Sequence, residues 1–252
     1  EALRIELRGA PGTVSETRYH SHAHVKTFSE NQILREKQEV VDFKTLTQIK
    51  SFDTASKVLI YTVRTTEKDG SADLHDLAFP EESEEIEYAV RANGLVLKAG
   101  KYPSQSLFFV PSMPIPADEV RIGDTWAMEH TWLSASDNIP LKLDIVGILK
   151  NIVTCAGTVC ADIEISGSVK LVQPATAAAS RFDSRVWGRL LFSPSRGDII
   201  WSEIHSQEEM NVGADKMSVL SCMVSETKIT GKYRTGLNCS PELFPVKAVP
   251  AL

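Results

Sequence analysis

Apolar and polar side chains alternate along most of this chain. In residues 3–8, Leu3, Ile5 and Leu7 alternate with Arg4, Glu6 and Arg8. In residues 17–28, Tyr19, Ala23 and Val25 alternate with His20, His22 and His24. Residues 56–65 are rich in β-branched and aromatic side chains. The stretch 84–100 reads as a hairpin. Ile86, Tyr88 and Val90 share one face, Asn93 and Gly94 suit the positive backbone angles of a type I′ turn, and Leu95 to Lys98 return. In the second half, Trp126, Met128, His130 and Trp132 alternate, and Leu141, Leu143 and Ile145 share a face. Further strands are predicted over 159–172, 185–193, 198–206 and 217–229, with a turn at 193–198. A helical period shows only weakly, at 71–79. Period-two alternation with one polar face predicts antiparallel strands, packed on one side and wet on the other. The expected fold is all-β: a strongly curved antiparallel sheet or open barrel with few helices.

Prolines crowd the middle of the chain. Pro103, Pro111, Pro114 and Pro116 fall within residues 101–118. Proline removes a ladder donor, so this stretch is expected to be extended and irregular. Leu107 to Val110 make it too apolar for a free linker. The expectation is a single β domain, 1–252, whose halves (1–100 and 119–239) are joined by this Pro-rich crossover. Residues 173–180 read as a surface loop, and 240–252 as a Pro-interrupted tail running along a surface.

The net charge of −6 comes without a concentrated basic patch, which argues against nucleic-acid and anionic-membrane surfaces. No apolar run approaches the ~20 residues of a transmembrane helix. The chain begins at Glu1. The expectation is a processed product, with any signal peptide or lipid anchor lying upstream. The four cysteines are Cys155, Cys160, Cys222 and Cys239. Cys155 and Cys160 bracket a tight turn, so a bridge would staple it. Cys222 and Cys239 would then tie the C-terminal segment to a strand. The spacings do not match those of zinc sites. Disulfides place the protein outside the cytosol, in the periplasm or the extracellular space.

Two stretches carry a resemblance. Pro116, Val120, Gly123, Asp124 and Trp126 in the first, and Gly188, Phe192, Gly197 and Ile199 in the second, resemble a signature of uncharacterised exported bacterial β proteins. The likeness spans roughly 114–206. Those proteins are similar in outline to periplasmic lipoprotein carriers, in which a curved antiparallel sheet cups an apolar ligand. The matching residues are structural, so the resemblance implies an exported β protein and carries no catalytic residue.

Two groups of residues are candidates for chemistry. Residues i, i+2 and i+4 of a strand project from one face. Two of His20, His22 and His24 could therefore join a neighbouring strand in holding a metal ion, although the solvated face of a strand reads the same way. Trp126, Met128, Trp132, Trp187 and Trp201 could line a ligand cavity, or fill the core as tryptophans more often do. His130, between Met128 and Trp132, reads as a satisfied core histidine. Nucleophile-elbow and phosphate-loop motifs are absent. The acidic run 81–87 lacks EF-hand spacing. The Arg196-Gly197-Asp198 tripeptide reads as a hairpin turn, and the sequon at Asn238 is crowded by Pro241 and a paired cysteine. The leading expectation is an exported non-enzymatic protein, without a cofactor, that binds an apolar small molecule, a lipid or an envelope protein on a concave sheet face. A metal-binding protein or metalloenzyme and an envelope structural component are the alternatives.

Overall fold

The computed structural model describes residues 2–30, 32–134, 138–172, 181–212 and 215–242. The loop expected at 173–180 and residues 243–252 of the expected tail lie outside them. Eleven strands form one open, curved antiparallel sheet. They are β1 (Val14–Ser29), β2 (Gln32–Asp53), β3 (Val58–Asp69), β4 (Glu85–Arg91), β5 (Val96–Ala99), β6 (Thr125–Leu133), β7 (Pro140–Cys155), β8 (Thr158–Leu171), β9 (Arg181–Ser193), β10 (Asp198–Val212) and β11 (Asp215–Thr227). Their order across the sheet is β5-β4-β3-β2-β1-β11-β10-β9-β8-β7-β6. Two meanders thus meet where β1 pairs with β11, in a register that sets Tyr19 opposite Ser225 and His22 opposite Cys222. Because β5 and β6 are the two edges, residues 100–124 must carry the chain across the whole width of the sheet.

That crossing segment covers one face. Met113 and Val120 are sealed there against Leu143, Ile145, Leu149, Ile163, Leu190 and Phe192, the alternate residues of β7, β8 and β9. Residues 3–8 keep their predicted alternation but are not a sheet strand. Leu3 makes an isolated bridge to Val120, and the Leu7 N–H donates to the Ala92 carbonyl at 2.9 Å. This segment lies on the sheet, with Leu3 and Ile5 buried in the same cluster. Packing onto a face and pairing in a ladder both select one apolar side, so alternation alone cannot separate them.

Two local expectations need correction. In the β4–β5 hairpin only Gly94 takes a positive φ, of 88°, and its N–H donates to the Arg91 carbonyl. A type I′ turn needs positive φ at both central residues. The hairpin is instead closed by a wider loop, with a register shift between Ala89 and Val90. The weak helical period at 71–79 is a single 3-10 turn, Leu74–Leu77, capped by the Asp73 side chain. A second 3-10 turn, Leu107–Phe109, lies in the crossover.

The opposite face has its own cover. Residues 228–242 run over β1, β10 and β11, and Ile229, Leu237 and Cys239 pack on Leu191, Ile200, Trp201 and Val224. Glu226, 2% exposed, anchors this segment. It accepts hydrogen bonds from Arg18 Nη2 at 2.8 Å, from the Thr235 hydroxyl at 2.7 Å and from the Arg234 backbone N–H at 2.5 Å. The disulfide Cys222–Cys239 adds a covalent tie (Cα–Cα 6.2 Å), and Cys155–Cys160 spans the β7–β8 turn (Cα–Cα 5.9 Å). No cysteine is free.

Candidate functional site: a cavity on the concave face

A cavity of ≈ 1040 Å³ lies on the concave face. Its floor is the alternate residues of β1 to β4, β10 and β11. Its other walls are residues 7–10, the segment 76–80 that ends and follows the first 3-10 turn, the second 3-10 turn and the β9–β10 turn at 195–198. Small-molecule sites commonly occupy roughly 300–1,000 Å³, so this space is at the upper end of that range.

The wall has two chemistries. Tyr19, Tyr61, Tyr88, Phe79 and Phe108 supply an aromatic side, with Val63 and Val90 between them. Tyr61 and Tyr88, directly opposite in the β3–β4 register, stack at 5.3 Å. Phe79 closes on Tyr19 at 4.7 Å. Burial pushes the Tyr19 phenol up to about 12 and raises those of Tyr61 and Tyr88 as well. The aromatic side is therefore a place where forming a negative charge is costly. The other side is a patch of small hydroxyls on β1, β2, β10 and β11. Thr17 and Thr227 share a hydrogen bond at 2.9 Å, and Ser202 and Ser225 share one at 2.6 Å. These groups satisfy one another and are short, so they leave open space where larger side chains would have filled it.

The two loops that roof the aromatic side are tied together. His75 Nε2 lies 2.7 Å from Glu84 Oε2, and the Tyr102 hydroxyl donates to Glu84 Oε1 at 2.7 Å. Tyr102 in turn stacks on Phe108 at 3.8 Å. Burial works to raise the Glu84 carboxyl, but the hydrogen bonds from Tyr102 and His75 prevail and hold it below its ordinary range. Asp198, at the start of β10, is raised by burial.

The five residues expected to line a ligand site are placed elsewhere. Trp126, Met128 and Trp132 are on the concave face but pack into the core over β7, and Trp126 Nε1 donates to the Pro114 carbonyl at 3.0 Å. A Cβ on Gly147 would come within 2.8 Å of the Trp126 ring, so the glycine is what admits the indole. Trp187 stands opposite Ser166 and His205 on the outer face of the sheet. Trp201 is turned to that same face by the β-bulge between Ile199 and Trp201, and packs with Cys155 and Cys160. None of the five borders the cavity. His130 lies beside Trp132 with Nε2 buried and unbonded among the described residues, and burial lowers its pKa. The expectation of a satisfied histidine is not met at that nitrogen.

His20, His22 and His24 occupy the outer face. Each meets a different partner: His20 Nδ1 lies 2.9 Å from Asp42, His22 Nε2 3.2 Å from Gln38, and His24 between Glu36 at 2.5 Å and Glu242 at 3.0 Å. Among the described residues no group of three His, Cys, Asp or Glu is placed to hold a metal ion. The His20 and His22 rings lie 6.4 Å apart, but each turns to its own partner on β2. Part of the lining, Tyr61, Val63, Tyr88 and Val90, lay in the predicted stretches 56–65 and 84–100. What the alternation lacked was any sign of which face the sheet curls around.

No protein-family model matches the chain, and no curated protein matches it. Solved structures to which it is similar include a hypothetical lipoprotein, YmcC, from Escherichia coli K12, at 10% identity over 79% of this chain and 82% of that one, with a TM-score of 0.30. A DUF1329 family protein from Desulfovibrio piger aligns at 10% identity over 84% and 83%, with a TM-score of 0.17. A LolA superfamily protein from Nitrosomonas europaea aligns at 8% identity over 84% of each chain, with a TM-score of 0.14. No helix among the described residues is long and apolar enough to cross a membrane.

Proposed function

We propose that this is a non-enzymatic binding protein of an oxidising compartment, the periplasm or the extracellular space, which takes an apolar small molecule or lipid into its concave cavity. The cavity carries the reading. A sheet that buries its own side chains over β7 to β9 leaves ≈ 1040 Å³ open over β1 to β4, roofed by two loops and lined on one side by aromatic rings. Transfer of apolar surface into such a space is favourable by roughly 25 cal/mol per Å². Both disulfides suit an oxidising environment.

Native mass spectrometry of protein isolated without denaturant, paired with titration of a hydrophobic fluorescent probe, tests the reading. Wild type is expected to retain an apolar molecule or to bind the probe. Thr47→Trp, which places an indole in the cavity from β2, is expected to abolish probe binding while keeping the circular dichroism and Tm. A wild-type protein that carries nothing and binds no probe would overturn it.

A further inference from the structure

The chemistry of the ligand can be narrowed, on the premise that the cavity is a binding site. Elsewhere in this protein, part-buried arginines on the sheet face carboxylates, although Arg18 Nε, like that of Arg196, has no partner among the described residues. Arg189 grips Asp162 through Nε at 3.0 Å and Nη2 at 2.6 Å, and Arg18 pairs with Glu226 at 2.8 Å. Arg196, in the β9–β10 turn, is different. It lines the cavity, yet its one side-chain hydrogen bond runs from Nη2 to Ser15 Oγ at 3.4 Å. Its Nε is buried without a partner, and among the described residues no carboxylate lies within ion-pairing distance of it. A guanidinium has five N–H donors in a fixed fork that matches a carboxylate. Arg8, also on the cavity wall, reaches the same turn, donating from Nη2 to the Pro194 carbonyl.

Among the described residues, neither acid on the wall makes an ion pair or hydrogen bond with these arginines, although Asp198 feels the Arg196 charge. Asp198 accepts the Ile199 N–H at 2.8 Å; burial raises its carboxyl, while the nearby Arg196 charge and that hydrogen bond work against the rise. Asp76, across the cavity in the first 3-10 turn, is raised by burial and by Asp73. One end of the cavity thus offers guanidinium groups without an ion-pair partner among the described residues, and hydroxyls, while the other offers aromatic rings.

We propose that the cavity takes a single-chain amphiphile with an anionic head, a long-chain carboxylate, whose head group is received by Arg196 and whose chain lies against Tyr61, Tyr88 and Phe108. Delipidated full-length protein would be titrated with dodecanoate, dodecanol and acetate, for wild type, Arg196→Gln and Arg196→Lys. Wild type is expected to bind dodecanoate roughly tenfold or more tighter than dodecanol, as one charge-assisted pair would give, and acetate not measurably. Arg196→Gln is expected to erase that preference while dodecanol affinity stays, and Arg196→Lys to restore part of it. Equal binding of acid and alcohol by wild type, or an undiminished preference in a folded Arg196→Gln protein, overturns the head-group assignment and leaves the cavity standing. If neither long-chain compound binds, the cavity reading itself fails. Should Arg196→Gln fold poorly, the acid-to-alcohol ratio of wild type still decides.

Discussion

Over β7 to β9 the concave face is covered by Leu3, Ile5, Met113 and Val120, and beneath them Leu149, Ile163, Leu190 and Phe192 are sealed from solvent. Over β1, β2 and β11 the same face of the same sheet carries Thr17, Thr47, Ser225 and Thr227, and a cavity opens above them. Curvature cannot explain the contrast, because one continuous ladder runs through both regions. Side-chain volume can. Branched aliphatic and indole side chains at alternate positions reach the crossing segment and fill the layer at the close packing of a protein interior. Hydroxyl side chains stop short and bond to one another. An open cavity is stable here because its polar floor is internally satisfied and its apolar wall is built of stiff rings.

The largest test of that contrast is truncation on the filled side. Phe192→Ala removes a fully buried ring from the cluster over β8 and β9. It should cost about 3–5 kcal/mol in urea denaturation. Next is the covalent tie of the outer cover. Replacing both Cys222 and Cys239 by Ser opens a loop with a sequence separation of 17. It is expected to lower stability by roughly 2–4 kcal/mol and to expose residues 228–242 to protease.

Third is the anchor of that same cover. Burial works to raise the Glu226 carboxyl, but the bonds from Arg18, Thr235 and the Arg234 N–H outweigh it, so its folded pKa is lowered. A group depressed on folding contributes its stability above the ordinary carboxylate range and loses it as pH falls through the folded value. Glu226→Gln should therefore cost about 1.5–3 kcal/mol near neutrality. The gap to wild type should close on acidification, as followed by thermal melts from neutral to acid pH. The smallest effect belongs to the open side. Thr47→Ala, where no packed neighbour fills the space, should shift stability by less than about 0.5 kcal/mol. A loss as large as that of Phe192→Ala would mean that the floor is packed after all.

Much of the fold was legible from alternation, because a strand's side-chain period and a half-buried sheet impose the same rhythm. The strand read at 56–65 reappears in β3, the hairpin 84–100 as β4 and β5, and the alternations of Trp126 to Trp132 and Leu141 to Ile145 fall in β6 and the longer β7. The long β2 was not legible. Its first part, Gln32 to Gln38, is exposed and rich in charge, so neither face shows an apolar stripe. Cys155–Cys160 and Cys222–Cys239 are paired as their positions suggested. The cavity was hidden for a different reason. Tryptophans draw attention as ligand-lining residues, yet Trp126 and Trp132 fill the core because Gly147 and the crossover make room for them.

By itself the sequence determined that this chain forms antiparallel strands with one apolar face and two cysteine pairs, since those follow from side-chain period and local spacing. Only the tertiary structure decided which face curls inward, where the crossover lies upon it and where it leaves a gap. Those depend on contacts between residues distant along the chain, such as Leu3 with Val120 and Arg196 with Ser15, which no local pattern encodes.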